Sequence, residues 1–153
     1  MQNKLHPGSA LLGAGIALLA LITSGAMPQD EAVVEEERIV EVRYLEIVTP
    51  EMEAACSTLA DAHGVTFSEP VAMLGNARTA TLAGGGRISV RAPLRANETP
   101  VVRPYILVDD IEAAVATAKA AGAEIAHPPM EIPGEGTFAI YILGGIEFGL
   151  WKD

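Results

Sequence analysis

Arginine, tyrosine and glutamate side chains fall on one face of three predicted strands. If the apolar residues of each strand pack against a helix, the opposite face carries Tyr44, Glu46, Arg87, Ser89, Arg91, Arg103 and Tyr105. Guanidinium groups bind carboxylates or phosphates through paired hydrogen bonds, and tyrosines add planar contact and a hydroxyl. The pattern predicts a binding site for a small organic anion with an apolar body. The alternative is that these arginines pair with Glu46 or with surface acids, and the sequence fits both interpretations equally.

Catalytic residues are not identified by any motif. The candidates are His127, Glu46 and Tyr105, and His127 could act as a base together with Glu131 or Glu147. A loop or capping role for His127 is the simpler interpretation. The sequence contains no visible Ser–His–Asp or Cys–His pattern.

The first predicted strand and helix set the position of Tyr44 and Glu46. Residues 44–48 alternate as a strand, Thr49 is a candidate N-cap, and Pro50 suits a first helical turn. The helix ends at Gly64. Its apolar face consists of Met52, Ala55, Cys56 and Leu59.

A second copy of this pattern begins at Arg103. A strand is followed by Asp109-Asp110, which opens a helix, and Gly122 ends that helix. Its apolar positions match those of the first helix at an offset of 59 residues, and they are Ile111, Ala114, Val115 and Ala118. Such internal similarity predicts a duplicated unit.

Both copies continue alike after the helix. Pro70 and Pro129 predict a loop in each unit. Further strands are predicted at 78–82 and 87–91 in the first unit and at 138–142 and 147–151 in the second, with glycine turns between them. Each unit is therefore βα followed by about three strands. Because one helix covers only one face of its sheet, we expect two units to face each other around a concave site.

The amino-terminal segment differs from the rest of the chain. Residues 10–22 are apolar and uncharged, Lys4 precedes them, and Ser24-Gly25-Ala26 follows with small residues. This arrangement predicts a signal peptide at 1–26 and hence an exported protein, in the bacterial periplasm or secreted. The alternatives are a membrane anchor and a buried helix. Residues 27–41 predict an acidic linker, and 42–153 the folded domain.

Composition excludes one class of partner and one kind of cross-link. The formal net charge is −10, from 20 acidic and 10 basic residues, so nucleic acid is not expected to bind. The single cysteine, Cys56, allows no disulfide within the chain. It is interpreted as a small core residue, with an intermolecular bridge or a reactive thiol as alternatives.

Several stretches resemble the vicinal oxygen chelate superfamily, which includes glyoxalase and bleomycin-resistance proteins. They are Tyr-Leu-Glu-Ile-Val-Thr-Pro-Glu at 44–51, Arg-Pro-Tyr-Ile-Leu-Val-Asp-Asp-Ile-Glu-Ala-Ala at 103–114, and the segment 128–140. The resemblance implies an α+β fold, with paired βαβββ modules at about 42–95 and 101–153 that form a cup-shaped mixed sheet. It also implies frequent dimers, so a homodimer is expected.

Many members of this superfamily hold a divalent metal on the first and last strand of each module. The resemblance places those positions at Tyr44, Ser89, Arg103 and Gly149. Divalent sites need converging His, Cys or carboxylate donors, and a guanidinium would repel the ion. We therefore expect no cofactor and no metal at this place, while an atypical metal site stays open.

Three functions follow from these observations. The first is a metal-free module that binds a small organic anion. The second is a glyoxalase- or dioxygenase-like lyase, isomerase or oxidoreductase with an atypical site around His127, Glu46 and Tyr105. The third is a structural, dimeric accessory protein. Fold resemblance alone does not decide among them.

Overall fold

The computed structural model describes residues 39–153. The predicted signal peptide and most of the predicted linker lie outside these residues. Residues 39–153 contain seven strands and two α-helices: β1 (Val42–Val48), α1 (Met52–His63), β2 (Arg78–Thr81), β3 (Arg87–Arg91), β4 (Val101–Leu107), α2 (Ile111–Ala120), β5 (Glu124–Ile132), β6 (Gly136–Leu143) and β7 (Ile146–Lys152). No helix in this part of the chain is long and apolar enough to cross a membrane.

All strands belong to one mixed sheet in the order β2-β3-β1-β4-β7-β6-β5. Within each module the first and last strands are parallel, and the two modules meet where β1 runs antiparallel to β4. The predicted α+β fold is therefore confirmed, with an open, cup-like sheet. The two modules join edge to edge through β1 and β4, so one continuous sheet forms the cup.

The repeat is clear in the first half of each module. Strands β1 and β4, and helices α1 and α2, begin 59 residues apart. Helix α2 covers one face of the sheet, where Ile111 packs with Ala139 and Leu150. The opposite face forms the inside of the cup.

Module one has one strand fewer than predicted. Where module two has β5, module one has a 3₁₀ helix at Ala72–Leu74 and a single bridge between Val71 and Ala77. The preceding segment is held by a side chain, because Ser68 Oγ accepts from the Thr79 N–H at 3.0 Å. Pro70 has no N–H to give to a ladder. Local side-chain bonding and a proline thus explain the missing strand.

Two details of the predicted loops and caps were wrong. Helix α1 begins at Met52, and Thr49 Oγ1 accepts from the Glu51 N–H at 3.1 Å, so Thr49 closes the turn before the helix rather than capping it. Pro129 lies within β5 rather than in a loop. The sheet tolerates it because β5 is an edge strand, whose pairing with β6 shifts register between His127 and Met130.

Other local predictions were right. Gly64 ends α1 in the left-handed conformation, and the Asp110 side chain accepts from the Ala113 N–H at the start of α2. Cys56 is a buried residue of α1, and burial raises the pKa of its thiol.

Candidate functional site

A cavity of about 490 Å³ opens on the concave face of the sheet. Six of the predicted ligand-binding and catalytic residues line it: Tyr44, Glu46, Arg91, Arg103, Tyr105 and His127. Five of them come from β1, β3 and β4, on the face that strand alternation predicted, whereas His127 lies in β5 and not in the predicted loop. The size is that of a pocket for a small molecule.

Two predicted ligand-binding residues do not line the cavity. Ser89 is fully buried, and its hydroxyl has no hydrogen-bond partner among the described residues. Arg87 donates to Glu135 at 2.7 Å, and its Cζ lies 5.6 Å from the centre of the Tyr44 ring. Arg87 therefore supports Tyr44 from outside the cavity.

Glu46 is the centre of a buried ion-pair network. Arg91 donates from Nε to Glu46 Oε1 at 2.6 Å, and Arg103 donates from Nη1 to Glu46 Oε2. The Tyr105 hydroxyl donates to the same Oε2 at 3.0 Å. Both carboxylate oxygens of Glu46 are thus engaged.

Two further glutamates complete this network. Arg91 forms a bidentate pair with Glu98, with contacts of 2.9 and 2.6 Å, and Glu98 also accepts from the Leu94 N–H at 2.6 Å. Arg103 donates from Nε to Glu147 at 2.9 Å and also from Nη2. We call Glu46, Arg91, Glu98, Arg103 and Glu147 the arginine–glutamate network.

The network is not basic. Its three carboxylates and two guanidinium groups give a formal charge of −1. The prediction of an anion-binding site did not include the charges of Glu98 and Glu147 on this face. Of the two interpretations that the sequence allowed, the structure displays the arginines paired with acids.

Burial and pairing shift the ionisation of these groups. Burial alone would lower the pKa of Arg91, but the carboxylates of Glu98 and Glu46 outweigh it and raise that pKa. The hydrogen bonds from Arg91 lower the pKa of Glu98 to about 2. Burial, reinforced by the charge of Glu46, raises the pKa of Tyr105, so its hydroxyl remains a donor at neutral pH.

An aromatic cluster adjoins this network. It consists of Tyr44, Tyr105, Phe138 and Trp151. The Tyr44 ring stacks on Trp151 with centroids 5.0 Å apart, and Tyr105 meets both rings edge-on. Burial raises the pKa of Tyr44 to about 12.

Gly149 makes room for this cluster. A Cβ atom at this position would lie 2.2 Å from Cδ1 of the Tyr105 ring. Only glycine therefore leaves room for the ring this close to β7. One of the four positions that the resemblance assigns to metal ligands is thus covered by an aromatic ring.

The other three of those positions also lack a converging set of donors. Tyr44 is stacked on Trp151, Ser89 lies outside the cavity lining, and the Arg103 guanidinium lies between two carboxylates. Within residues 39–153, no group of three or more His, Cys, Asp or Glu side chains is placed to hold a metal ion.

His127 lies in β5 at the cavity wall. Its ring stacks on Phe138 with centroids 4.8 Å apart, and Nδ1 lies 2.8 Å from the Pro128 carbonyl oxygen. Of the two acids considered as its partners, Glu147 lines the cavity and Glu131 does not.

Sequence reasoning missed much of the apolar lining. The missed residues are Met73, Leu74, Leu94, Met130, Ile132, Phe138, Ile140 and Trp151. The resemblance placed Gly149 in the cup, and strand alternation around Gly149 puts Trp151 and Glu147 on the same face. Trp151 could therefore have been found, and Glu147, named only as a partner of His127, could have been assigned to the cup. Arg95, Asn97 and Glu98 follow β3 in an irregular segment, where no periodicity predicts orientation.

Comparisons with known proteins give the fold. No family model and no curated protein matches the sequence. Among solved structures, a hypothetical protein from Bacillus halodurans is similar with a TM-score of 0.59 and 13% identity over 76% of this chain and 96% of that chain. Methylmalonyl-CoA epimerase from Mycobacterium tuberculosis is similar with a TM-score of 0.55 and 16% identity over 71% and 85%.

A variant of Streptomyces coelicolor methylmalonyl-CoA epimerase, in complex with 2-nitronate-propionyl-CoA, is also similar. Its TM-score is 0.56, with 14% identity over 76% of this chain and 99% of that chain. Identities this low establish the shared fold alone. The chain therefore has the cup-shaped, paired-module fold of the vicinal oxygen chelate proteins, the group to which these epimerases belong.

Proposed function

We propose that this domain is a binding module that holds a small organic anion with an apolar body inside the cup. The observation that carries the proposal is the composition of the cavity wall. Aromatic and aliphatic side chains form one part of it, and guanidinium groups, most of them paired with carboxylates, form another. A ligand with both characters matches this wall.

The apolar part of the wall is the evidence that the ligand has an apolar body. Met130, Ile132, Phe138 and Ile140 from β5 and β6 lie on one side of the cavity, and Leu94 and Met73 contribute from module one. Several of these side chains are partly exposed, so a ligand would cover them. Each methylene group buried there contributes about 0.8 kcal/mol.

Two arginines are the evidence that the ligand carries an anionic group. Arg95 lines the cavity, is exposed, and forms no ion pair with any residue in 39–153. Arg103 is buried, but its partner Glu147 is partly exposed. Two charge-assisted contacts contribute roughly 3–6 kcal/mol, which corresponds to about millimolar binding before apolar burial is added.

A matched pair of probes tests this function. Cyclohexanecarboxylate and cyclohexanecarboxamide have the same apolar body and differ in charge. Trp151 is the single tryptophan and lines the cavity, so its fluorescence reports binding. The carboxylate is expected to bind at least tenfold more tightly than the carboxamide. Equal affinities, or no response to either probe, would contradict the proposal.

Variants locate the anion. Arg103→Ala is expected to abolish binding of the carboxylate, and Arg95→Gln to weaken it about tenfold. Arg78→Gln is the matched control, because Arg78 pairs with Glu53 outside the cavity. Unchanged carboxylate affinity in folded Arg95→Gln protein would show that Arg95 does not bind the anion.

We further propose that the cup works without a metal at the four positions assigned by the resemblance. The support is chemical, since a guanidinium occupies one position and a glycine another. Elemental analysis of protein purified from its own host tests this. Stoichiometric Fe, Zn, Mn or Ni would contradict it.

A second candidate function is isomerisation. It is favoured by the two similar epimerases and by Glu46, the buried carboxylate at the centre of the cup. Against it, both oxygens of Glu46 already accept hydrogen bonds from Arg91, Arg103 or Tyr105, which leaves little capacity to take a proton from carbon. Incubation with methylmalonyl-CoA in D₂O separates the two functions, because deuterium incorporation at the substrate carbon would favour the epimerase.

Homodimer formation and export complete the proposal. Native mass spectrometry of the mature protein from its host measures the oligomeric state and reveals any retained ligand. Sequencing of its amino terminus tests cleavage after Ala26 against retention of the segment as an anchor.

A further inference from the structure

The two carboxylates on Arg103 differ in their environment. Glu46 contacts Nη1, and its side chain is 9% exposed, whereas Glu147 contacts Nε and Nη2 and its side chain is 38% exposed. Arg103 thus has an inner edge that is covered by the buried Glu46 and an outer edge that is covered by the more exposed Glu147.

The contact on the outer edge is incomplete. Nε and Nη2 of a guanidinium can bind the two oxygens of one carboxylate in parallel. Here both nitrogens point to the same atom, Oε2 of Glu147. The second oxygen of Glu147 makes no hydrogen bond within residues 39–153. A carboxylate that uses both oxygens would fit this edge better.

Exposure also makes the outer contact easier to break than the inner one. A partly solvated ion pair is weakened by water and salt, and a released Glu147 can be hydrated. A released Glu46 would stay buried, between Arg91 and Tyr105. Exchange of partners on Arg103 is therefore confined to its outer edge.

We propose that the outer edge of Arg103 is the carboxylate subsite of the cup, and that Glu147 occupies this subsite as a built-in competitor until a ligand displaces it. The proposal rests on the proposed function. The ligand class is a planar carboxylate with an apolar body, since it must replace the hydrogen bonds of Glu147 and gain burial as well. Acetate, which has almost no apolar body, would not displace Glu147.

Removal of the competitor provides the test. Glu147→Gln and Glu147→Ala are titrated with cyclohexanecarboxylate, cyclohexanecarboxamide and acetate, with Trp151 fluorescence as the readout. Both variants are expected to bind the carboxylate about tenfold more tightly than the unmodified protein and to leave the carboxamide affinity unchanged. Glu147→Ala decides the test if the glutamine amide oxygen of the Glu147→Gln variant still accepts hydrogen bonds from Arg103.

The control removes the same charge elsewhere. Glu135→Gln frees Arg87, an arginine that does not line the cavity, and is expected to leave carboxylate affinity unchanged. An equal gain in carboxylate affinity in this variant would show that the effect arises from net charge alone, and it would overturn the proposal.

The outcomes separate the two proposals. If the unmodified protein binds the carboxylate and neither Glu147 variant binds it more tightly, the competitor role is wrong and the proposed function stands. If neither the unmodified protein nor the variants bind it, the proposed function fails as well. Tight binding of acetate to the unmodified protein would also overturn the displacement model.

Discussion

Two cross-strand pairs at the junction of the modules occupy equivalent places and have opposite chemistry. Strands β1 and β4 align Tyr44 with Tyr105 and Glu46 with Arg103. At the spacing of 59 residues, Tyr44 is equivalent to Arg103 and Glu46 to Tyr105. Exchanging the modules therefore converts the aromatic pair into the ion pair.

This difference explains the two characters of the cup. The aromatic pair packs on Trp151 and extends an apolar surface, while the ion pair adds Arg91 and Glu147 and forms a charged surface. The duplicated backbone determines where side chains meet, and the divergence of four residues determines what the site can bind. A cup made of two identical modules would have the same chemistry at both ends, whereas this cup is apolar at one end and charged at the other.

The comparison predicts that the ion pair tolerates truncation far less than the aromatic pair does. Glu46→Ala leaves the buried guanidinium groups of Arg91 and Arg103 without their shared partner, and we expect the free energy of unfolding to fall by about 3–5 kcal/mol. Tyr44→Leu keeps an apolar side chain and should lower it by about 1–2 kcal/mol. Urea denaturation measures both, and equal losses would contradict the comparison.

The aromatic pair has its own sensitive point at Gly149. The Cβ atom in Gly149→Ala would collide with the Tyr105 ring, and overpacking of this kind lowers the free energy of unfolding by about 1–3 kcal/mol. In a double-mutant cycle with Tyr105→Ala, the second substitution should relieve the clash. The double variant is then more stable than the sum of single effects predicts, and strict additivity would contradict this packing.

The fold and the cup-facing strand residues could be predicted because both depend on periodicity. Apolar residues at helical and strand spacing gave the repeat, and alternation placed Tyr44, Glu46, Arg91, Arg103 and Tyr105 in the cavity lining. Alternation indicates the face of a strand and not the depth of the side chain. Ser89 therefore ended beneath the lining while its neighbour in the pattern, Arg91, reached it.

The charge balance of the site could not be predicted, because it depends on side chains without a regular pattern. Glu98 lies in the irregular segment between β3 and β4, and only the tertiary structure brings it to Arg91. The missing strand of module one has the same kind of cause, since Ser68 and Pro70 act through local bonds that periodicity does not show.

Glu98 gives the ion-pair region a pH dependence that the aromatic region lacks. Its pKa is held at about 2, below the ordinary 4.5, by hydrogen bonds from Arg91. A lowered pKa stabilises the folded state above about pH 4.5, and this contribution disappears as the pH falls towards 2. Because Glu98 is partly exposed, we expect this contribution to the free energy of unfolding to be about 1–2 kcal/mol.

The measurement compares the unmodified protein with Glu98→Gln by urea denaturation at pH 6, 4 and 3. The stability difference between the two should shrink as the pH decreases. Other carboxylates titrate equally in both proteins and cancel in the difference. A difference that stays constant down to pH 3 would show that Arg91 does not hold the Glu98 carboxylate as described.

The smallest effect is expected at an ion pair outside the cup, and it sharpens the contrast with Glu46. Arg78 donates to Glu53 at 2.7 Å, about as short as the contact of Arg91 with Glu46, but the Glu53 side chain is 68% exposed. Glu53→Gln should change the free energy of unfolding by no more than about 0.5 kcal/mol, and 1 M NaCl should remove the change. The loss in Glu46→Ala should persist in the same salt, because ions do not screen a pair sealed from solvent. Similar salt sensitivity at both sites would show that burial does not determine the strength of these ion pairs.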